Sequence, residues 1–395
     1  MPNIVDKFIS EKGEKGIILD LYENGLKQHE VEQFIIDKFK PYLKSKFILR
    51  IQMLAYLPQY IDLLLYISSD NVNKNLFKSC LEIFWKAKSE NSVNCYRSYQ
   101  YWQDSALAAT SKVVSLITLD QDRNKMALHE FAEDVFTKIG KIIEACIQPY
   151  LRILLYLVEV INKKNPLKLD INKLDLGKVV NKLLKSNFFN KLLIPPPWNL
   201  KLNDWRNIPK HDKYLVKENK IICRFKKPPY EKEIILSKQE LWYLFLGIND
   251  IFSILRLAHS IFFFDNIEEI QPYWDNKQLR KESSLLDLIS TYGMYGLSVK
   301  IYSVGDDTVE FQLKDKTKRE PNKRLNELIF LIRPTWHKTR KRFIILEYVD
   351  YFNNPIFNLK VDTSKREDLF SIGVDEDLLT IKNLRECIEL IDLRK

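Results

Sequence analysis

Residues 237–264 read SKQELWYLFLGINDIFSILRLAHSIFFF, and they predict one long helix. Ser237 and Glu240 have the spacing of a capping box, in which each side chain satisfies a free backbone N–H group of the other residue. Apolar residues then recur at three- and four-residue steps, as in Leu241, Phe245 and Ile248. An apolar stripe of this kind has to be buried against other elements, so the stretch predicts a mainly α-helical protein.

The residues before this stretch predict more of the same bundle. Residues 125–164 form the longest helical pattern, and Pro149 is expected to kink it because proline removes a backbone donor and clashes with the preceding turn. A short amphipathic piece follows at Leu176–Leu184. Residues 220–224 and 234–236 read as strands on either side of a turn, so a β-hairpin insertion is predicted within the bundle.

The two ends of the chain differ in their predicted secondary structure. Residues 1–120 show helical spacing and predict an N-terminal helical region, followed by the bundle over residues 121–270. Residues 285–395 predict a separate C-terminal α+β domain. Its four strands are expected at residues 297–304, 308–313, 343–349 and 356–361. A final helix is expected at 380–391.

Charge and cysteine content narrow the class of protein. The 395 residues carry a net charge of +10, which suits a polyanionic partner such as RNA. The five cysteines form no CxxC pair, so neither a disulfide framework nor a zinc site is expected. The start of the chain lacks a signal peptide pattern, and charges and prolines interrupt its apolar stretches at 47–67 and 143–161. These features favour a cytoplasmic protein that needs no cofactor and contacts no membrane.

Arg206, Asn207 and His211 form the chemical motif that stands out. Metal-independent cleavage of an RNA phosphodiester needs a group that takes the 2′-hydroxyl proton, a cation that stabilises the phosphorane and an acid for the leaving oxygen. Histidine can take or give a proton near neutral pH, and the arginine fork matches phosphate oxygens. Asparagine beside the arginine can position the phosphate. Trp205 and Ile208 are expected to anchor this segment inward.

The segment Arg206-Asn207-Ile208-Pro209-Lys210-His211 resembles the motif of the HEPN family of helical-bundle proteins position by position. The resemblance covers residues 125–265. It implies a HEPN-like bundle that acts as a metal-independent endoribonuclease and leaves 2′,3′-cyclic phosphate and 5′-hydroxyl ends. It also implies a homodimer, in which two copies of His211 divide the roles of base and acid. Family members act in phage defence, in toxin–antitoxin pairs or in RNA processing, so a defence-system partner or an antitoxin is a further expectation.

Pro209 departs from the family pattern, which usually has helix at this position. Because proline suits the first turn of a helix, we expect the helix to begin near Pro209 with Arg206 just ahead of it. A purely structural interpretation stays open, with Arg206 as a surface salt-bridge former and His211 as a helix-cap residue. Two functional alternatives also remain, namely a non-catalytic HEPN-like module that binds RNA or protein and a structural subunit of a larger complex.

The C-terminal domain contains a second candidate surface. A basic stretch runs from Lys314 to Arg342, where cations beside an aromatic ring could grip an RNA backbone and stack a base. The alternative is a solvated loop. With Lys210 added, the residues expected to contact RNA are Lys210, Lys323, Arg324, Trp336, Lys338, Arg340, Lys341 and Arg342. Nearby, Gly305-Asp306-Asp307 is typical of a hairpin turn rather than a polymerase metal site.

Overall fold

The computed structural model describes residues 16–45, 57–117, 126–164, 166, 169–186, 190–225, 232–273, 288–289, 291–317, 319–366 and 386–394. In these residues the protein is mainly α-helical and has two small β-sheets, as the sequence predicts. The helices, numbered α1 to α13 in chain order, are Ile17–Glu23, Gln28–Phe39, Pro58–Ser69, Asn71–Glu90, Ser92–Ile117, Leu128–Lys141, Gln148–Ile161, Leu176–Leu184, Asn190–Leu193, Leu202–Lys210, Lys238–Asp265, Ile267–Ile270 and Pro321–Thr339.

The strands belong to two separate sheets. Strands β1 to β3 form a three-stranded antiparallel sheet, and β4 to β8 form a five-stranded sheet in the order of the chain. Their bounds are Tyr214–Lys217, Lys220–Phe225, Lys232–Leu236, Leu297–Val304, Thr308–Asp315, Phe343–Val349, Pro355–Asp362 and Ile388–Asp392.

Contacts between residues divide the chain into two compact units. The helical unit contains residues 42–46 and 63–277, and the mixed unit contains 1–41, 47–62 and 278–395. This division differs from the three regions expected from the sequence, because the first helices pack with the C-terminal sheet region. The Tyr22 hydroxyl, for example, donates a hydrogen bond to the Met294 carbonyl at 2.5 Å.

Helix α11 is the central element of the helical unit. Ser237 and Glu240 make the predicted capping box, and the helix ends at Asp265, close to the expected end at Phe264. Helices α4 and α6 pack against it, and most of its residues from Ile248 onward are buried. Among the described residues, α11 is also the helix long and apolar enough to cross a membrane, but 56% of its most apolar stretch is buried inside the protein, as in a core helix.

The long helical pattern around Pro149 contains an irregular segment. Helix α6 ends at Lys141, a π-helix occupies Ile142–Ile147, and α7 begins at Gln148 with Pro149 in its first turn. A π-helix shifts the hydrogen-bond register by one residue, and it frequently occurs at functional sites. The sequence predicted a kink at Pro149, and the structure has a change of helix type that ends at Ile147, two residues before the proline.

The three-stranded sheet is larger than the predicted hairpin. Its second and third strands lie where the sequence predicts them, and β1 was missed. Strands β1 and β2 are joined by Glu218 and Asn219, which both have φ above +50°. Two such residues form the hairpin turn whose twist matches that of the strands. Asn219 without a following glycine gives only a weak sequence signal for this turn.

The five-stranded sheet confirms the four predicted strands of the C-terminal region and adds one. Gly305-Asp306-Asp307 is the predicted hairpin turn, closed by a hydrogen bond from the Gly305 amide to the Thr308 carbonyl. Strands β5 and β6 are parallel, and α13 is the crossover between them, so one face of the sheet packs on this helix.

The helix predicted at 380–391 is wrong over residues 388–391, which belong to strand β8, while residues 380–385 lie outside the described part of the chain. Strand β8 pairs with β7 through contacts that include Leu359 with Leu390 and Val361 with Ile388. The neighbouring edge strand supplies backbone partners for this short segment, which local helix propensity does not reflect.

Candidate functional site

Helix α10 carries the predicted motif, and its buried side determines which side faces outward. Leu202, Trp205 and Ile208 have a relative exposure of 0% each, and their spacing of three places them on one side of the helix. The prediction that Trp205 and Ile208 are inward anchors is confirmed. The remaining side of α10 carries the polar residues of the motif.

Pro209 lies in the last turn of α10, and the prediction that the helix begins there is wrong. Proline near the end of a helix removes one hydrogen bond, to the Trp205 carbonyl, and leaves the earlier turns intact. Pro209 also packs closely on α6, because a Cβ atom added to Gly140 would lie 3.2 Å from its Cγ atom. Arg206 is therefore inside a regular helix, and the bare backbone at Gly140 lets α6 and α10 approach each other.

Arg206 makes a bidentate ion pair with Glu144. Its Nε atom donates to Glu144 Oε2 at 3.2 Å, and its Nη2 atom donates to Glu144 Oε1 at 2.6 Å. The Arg206 side chain is 18% exposed and that of Glu144 is 50% exposed. Paired N–H groups on one carboxylate fix the plane of a guanidinium as well as its position. Arg206 is thus a surface salt-bridge former, as the structural interpretation expected, and it is held in one orientation.

Asn207 completes the contacts of this guanidinium. The Arg206 Nη1 atom donates to the Asn207 Oδ1 atom at 3.1 Å. An arginine side chain has five N–H hydrogens, and these three bonds use three of them. One hydrogen on each terminal nitrogen remains for a ligand. Because the Asn207 oxygen accepts from Arg206, its NH2 group is the part left to donate to a ligand.

Glu144 belongs to the π-helical segment of the helical unit. The Arg206 guanidinium is the main cause that holds the pKa of Glu144 below its usual value, and the more distant Lys210 adds to the effect. The Lys210 Nζ atom lies 4.0 Å from Glu144 Oε1. Glu144 is therefore ionised at neutral pH. Its charge is opposed by two cations, so this group of three side chains has a net positive charge.

His211 is the C-cap residue of α10, and it is exposed. The helix ends in a Schellman motif: Asp212 has φ 48°, the Lys213 amide donates to the Ile208 carbonyl at 2.9 Å, and the Asp212 amide donates to the Pro209 carbonyl at 3.4 Å. The helix-cap position matches the structural interpretation. Within the described residues, no hydrogen bond or ion pair joins the imidazole to Arg206 or to another side chain.

The three motif residues lie on the outward half of α10. Arg206 and Asn207 are hydrogen-bonded to each other, whereas His211, within the part of the chain that the structure describes, makes no hydrogen bond to either side chain. Five residues along an α-helix correspond to roughly 140° around its axis, so Arg206 and His211 lie on either side of Asn207. A ligand that contacts all three has to lie across the last turn of the helix. The arrangement offers a pre-oriented guanidinium, an amide donor and an exposed imidazole to an anionic group.

Arg324, one of the expected RNA contacts, is completely buried in the mixed unit. Its guanidinium donates to both Asp315 oxygens, at 2.7 and 2.8 Å, and to the Thr317 hydroxyl at 2.6 Å. It also donates to Glu327. The Tyr348 hydroxyl donates to the same Asp315 carboxylate at 2.7 Å. Arg324 thus belongs to the core and is removed from the expected RNA contacts.

Trp336 is likewise unsuited to the role expected of it, because 7% relative exposure leaves no ring face for a base. The basic stretch is mostly the crossover helix α13 and not a loop, so neither interpretation of it anticipated its structure. The other expected contacts form surface interactions within the unit. Lys323 lies 3.8 Å from Glu320, Arg340 covers the Trp336 ring, Lys341 donates to the Asp306 carbonyl and Arg342 pairs with Asp362, while Lys338 is half-buried on α13.

Sequence reasoning missed Glu144 and Gly140. Glu144 is 62 residues from Arg206, and a lone glutamate in an apolar helical pattern carries no signal of its partner. Gly140 could be noticed as a glycine inside a helical pattern, where glycine costs stability relative to alanine and often has a packing reason. Only the packing of α6 on α10 shows what each of these residues does.

The described residues contain no group of three His, Cys, Asp or Glu side chains that could hold a metal ion. Comparisons of the chain with protein-family models, with curated proteins and with solved structures found no match. Function therefore has to be argued from the site itself.

Proposed function

We propose that the protein is a metal-independent endoribonuclease of the HEPN type, with Arg206, Asn207 and His211 as its reactive face. The observation that carries the proposal is the bidentate Glu144–Arg206 pair, which holds the guanidinium on the outward side of α10 and leaves two of its N–H hydrogens to donate. A donor fixed in advance stabilises developing charge without reorganising during the reaction.

In this proposal, Arg206 stabilises negative charge on the phosphorane and Asn207 positions the phosphate. His211 takes or gives the proton, because an imidazole has ring nitrogens that can accept or donate one. One imidazole cannot be base and acid in the same step, so two copies of the chain would supply one His211 each. The 2′-hydroxyl attacks the phosphorus, the bond to the 5′-oxygen breaks, and the products are a 2′,3′-cyclic phosphate and a 5′-hydroxyl.

His211→Ala tests this function. Purified full-length protein is incubated with single-stranded RNA in EDTA, and new 5′-hydroxyl ends are counted by direct phosphorylation with a polynucleotide kinase. We expect the wild type to generate such ends and His211→Ala to lose this activity by roughly 100-fold or more, as for a removed general acid or base. His129→Ala is the matched control, because His129 is also exposed in the helical unit. Equal cleavage by all three proteins would exclude the proposed role of His211.

A second function is a non-catalytic module that binds RNA or a partner protein. The observation that favours it is again the Arg206–Glu144 ion pair, since the Glu144 carboxylate already occupies two N–H groups of the guanidinium and opposes its charge. This function predicts RNA binding that weakens with salt and produces no new ends. A cytoplasmic location and a role in phage defence or in a toxin–antitoxin pair remain proposals that depend on either function.

A further inference from the structure

The strongest unexplained surface in the helical unit is the outward face of its three-stranded sheet. The first strand begins at Tyr214, three residues after His211, so the sheet continues directly from the motif. Residues that alternate along the strands point to opposite faces. Cys223, Ile221 and Leu236 are buried on the inner face, which leaves their neighbours in each strand on the outer face.

An apolar row crosses the middle of this outer face. Leu215 pairs with Ile222, and Ile222 pairs with Ile235, so the three side chains lie side by side on adjacent strands. Leu215 and Ile235 are each 53% exposed, and Ile222 is half-buried between them. Apolar side chains that adjoin one another on a surface, unlike single ones, can mark an interaction site.

Cations border the apolar row on both sides. Lys217 pairs with Lys220 next to the turn, and Arg224 pairs with Glu233 beyond the other side of the row. Arg224 and Glu233 form an exposed ion pair at 3.4 Å, as do Lys217 and Glu218 at 3.7 Å. Exposed pairs of this kind contribute little stability, so a phosphate can replace the carboxylate at small cost.

The local sequence has the same bias toward positive charge. Residues 213–238 contain eight Lys and Arg against three Glu, a net charge of +5 that is half of the +10 carried by the whole chain. A polyanion is the partner that this charge fits. A duplex would present its phosphates while hiding its bases, whereas an unpaired strand also presents base and ribose faces that can lie on apolar side chains.

We propose that the outward sheet face binds unpaired RNA and delivers it to the last turn of α10. Phosphates contact Lys217, Lys220 and Arg224, while bases and riboses lie on the row of Leu215, Ile222 and Ile235. This inference rests on the proposed function for its substrate and names that substrate as single-stranded RNA. It also moves the RNA-binding surface from the predicted C-terminal stretch to the strands that follow His211.

The experiment measures binding separately from cleavage. A fluorescent oligouridylate with 2′-O-methyl groups has no 2′-hydroxyl to attack the phosphorus, so the full-length protein cannot cleave it by the proposed reaction. Its anisotropy therefore reports binding alone. We expect Lys217→Gln with Lys220→Gln to weaken binding roughly tenfold at low salt and to reduce the salt slope by about 1.4, since a single strand gives about 0.7 for each phosphate contact. Leu215→Ser with Ile235→Ser should weaken binding of the single strand and remove its preference over a 2′-O-methyl duplex of matched length.

The matched controls replace the same kinds of exposed side chain elsewhere in the helical unit. Lys163→Gln with Lys173→Gln removes two exposed lysines that also pair with carboxylates, and Val72→Ser with Val93→Ser removes two exposed apolar side chains. Both control proteins should bind like the wild type. All these positions are exposed, so the variants keep the core unchanged.

The outcomes separate this inference from the proposed nuclease function. Sheet variants that bind and cleave like the wild type overturn the sheet proposal, even if His211→Ala is inactive. Weaker binding by the sheet variants supports it, even if the wild type cleaves nothing. Unchanged RNA affinity together with loss of self-association in sedimentation would instead assign the face to a second copy of the chain, and this result also overturns the proposal.

Discussion

The outward face of α10 and the buried interior of the protein use the same residue types in opposite ways. Arg206 and Arg324 each hold a carboxylate with two N–H groups. The partner of Arg206 is half exposed, whereas Arg324 and Asp315 have side-chain exposures of 0% and 1%. His211 is exposed at the end of a helix, whereas His259 is buried among aromatic rings that include Tyr99, stacked at 4.5 Å.

The difference shows how burial decides what a charged side chain does. A buried pair has no water to replace a lost partner, so each member of the Arg324–Asp315 pair stabilises the fold by satisfying the other. A pair at the surface contributes little stability and can keep donors free for a ligand. Residue type and spacing are therefore insufficient to separate a functional arginine from a structural one.

Arg324→Met should have the largest effect on stability. It leaves the Asp315 carboxylate buried without its cation, and we expect a loss of about 3–5 kcal/mol in the free energy of unfolding. Arg206→Met should cost less than about 1 kcal/mol, because its pair is at the surface. Urea denaturation of both full-length variants measures the contrast. Similar midpoints for the two proteins would break the comparison between buried and exposed pairs.

His259 should make stability depend on pH. Burial lowers the pKa of His259 to about 3, whereas an imidazole in the unfolded chain titrates near 6.5. Between these values the unfolded state binds the proton and the folded state does not, so stability falls as pH drops below about 6.5, by up to about 1.4 kcal/mol per pH unit. His259→Phe keeps an aromatic ring and removes the titration. Its stability should depend less on pH than that of the wild type between pH 6.5 and pH 4, and parallel profiles would contradict this account.

Glu144→Gln should reduce cleavage by roughly tenfold while leaving most of the fold stability, because the amide loses the charge that holds Arg206 in one orientation. Glu144→Asp keeps the charge and should restore part of the activity. Glu90→Gln is the control, since Glu90 pairs with Lys163 at 3.3 Å on the same unit. Measured kcat should fall and KM should change little. Activity equal to that of the wild type would remove Glu144 from the site.

Gly140 and Gly247 allow the smallest and most closely matched test, because both lie inside helices. A Cβ atom at Gly247 meets nothing within 4 Å, so Gly247→Ala should stabilise the protein by about 0.5–1 kcal/mol. At Gly140 the added atom lies 3.2 Å from Pro209 Cγ, and this contact should offset the gain. Thermal unfolding should therefore place Gly140→Ala about 1 kcal/mol below Gly247→Ala. Equal gains would show that α6 and α10 are not closely packed at the motif.

Local patterns predicted much of the fold. The helix at Leu176–Leu184 and the strand at Phe343–Val349 have the predicted bounds, because apolar spacing and flanking polar residues mark their ends. Helix α13 was missed, since Pro321, Pro334 and many cations mask its apolar residues. Strand β8 was taken for a helix because its pairing with β7 is a tertiary interaction that no local pattern records.

The candidate site also has features that the sequence predicts and features that only the packing determines. The motif on α10 and its inward anchors follow from the sequence, whereas the partner of Arg206 and the course of the helix through Pro209 depend on how α6 packs. For Arg324 the sequence predicted a functional role, and the structure shows a buried residue. Among neighbouring lysines it has the sequence signature of a nucleic-acid contact, and only the surrounding Asp315, Thr317 and Glu327 reveal it as a core residue.

A double-mutant cycle on RNA cleavage tests most directly whether Arg206 and His211 act on one phosphate. Rates are measured for the wild type, Arg206→Ala, His211→Ala and the double variant, with 5′-hydroxyl ends as the readout. Groups that act together in one transition state are strongly non-additive, so the double variant should be no more than a few-fold slower than the slower single variant. Losses that multiply would mean that the two side chains act independently, and they would contradict the shared site.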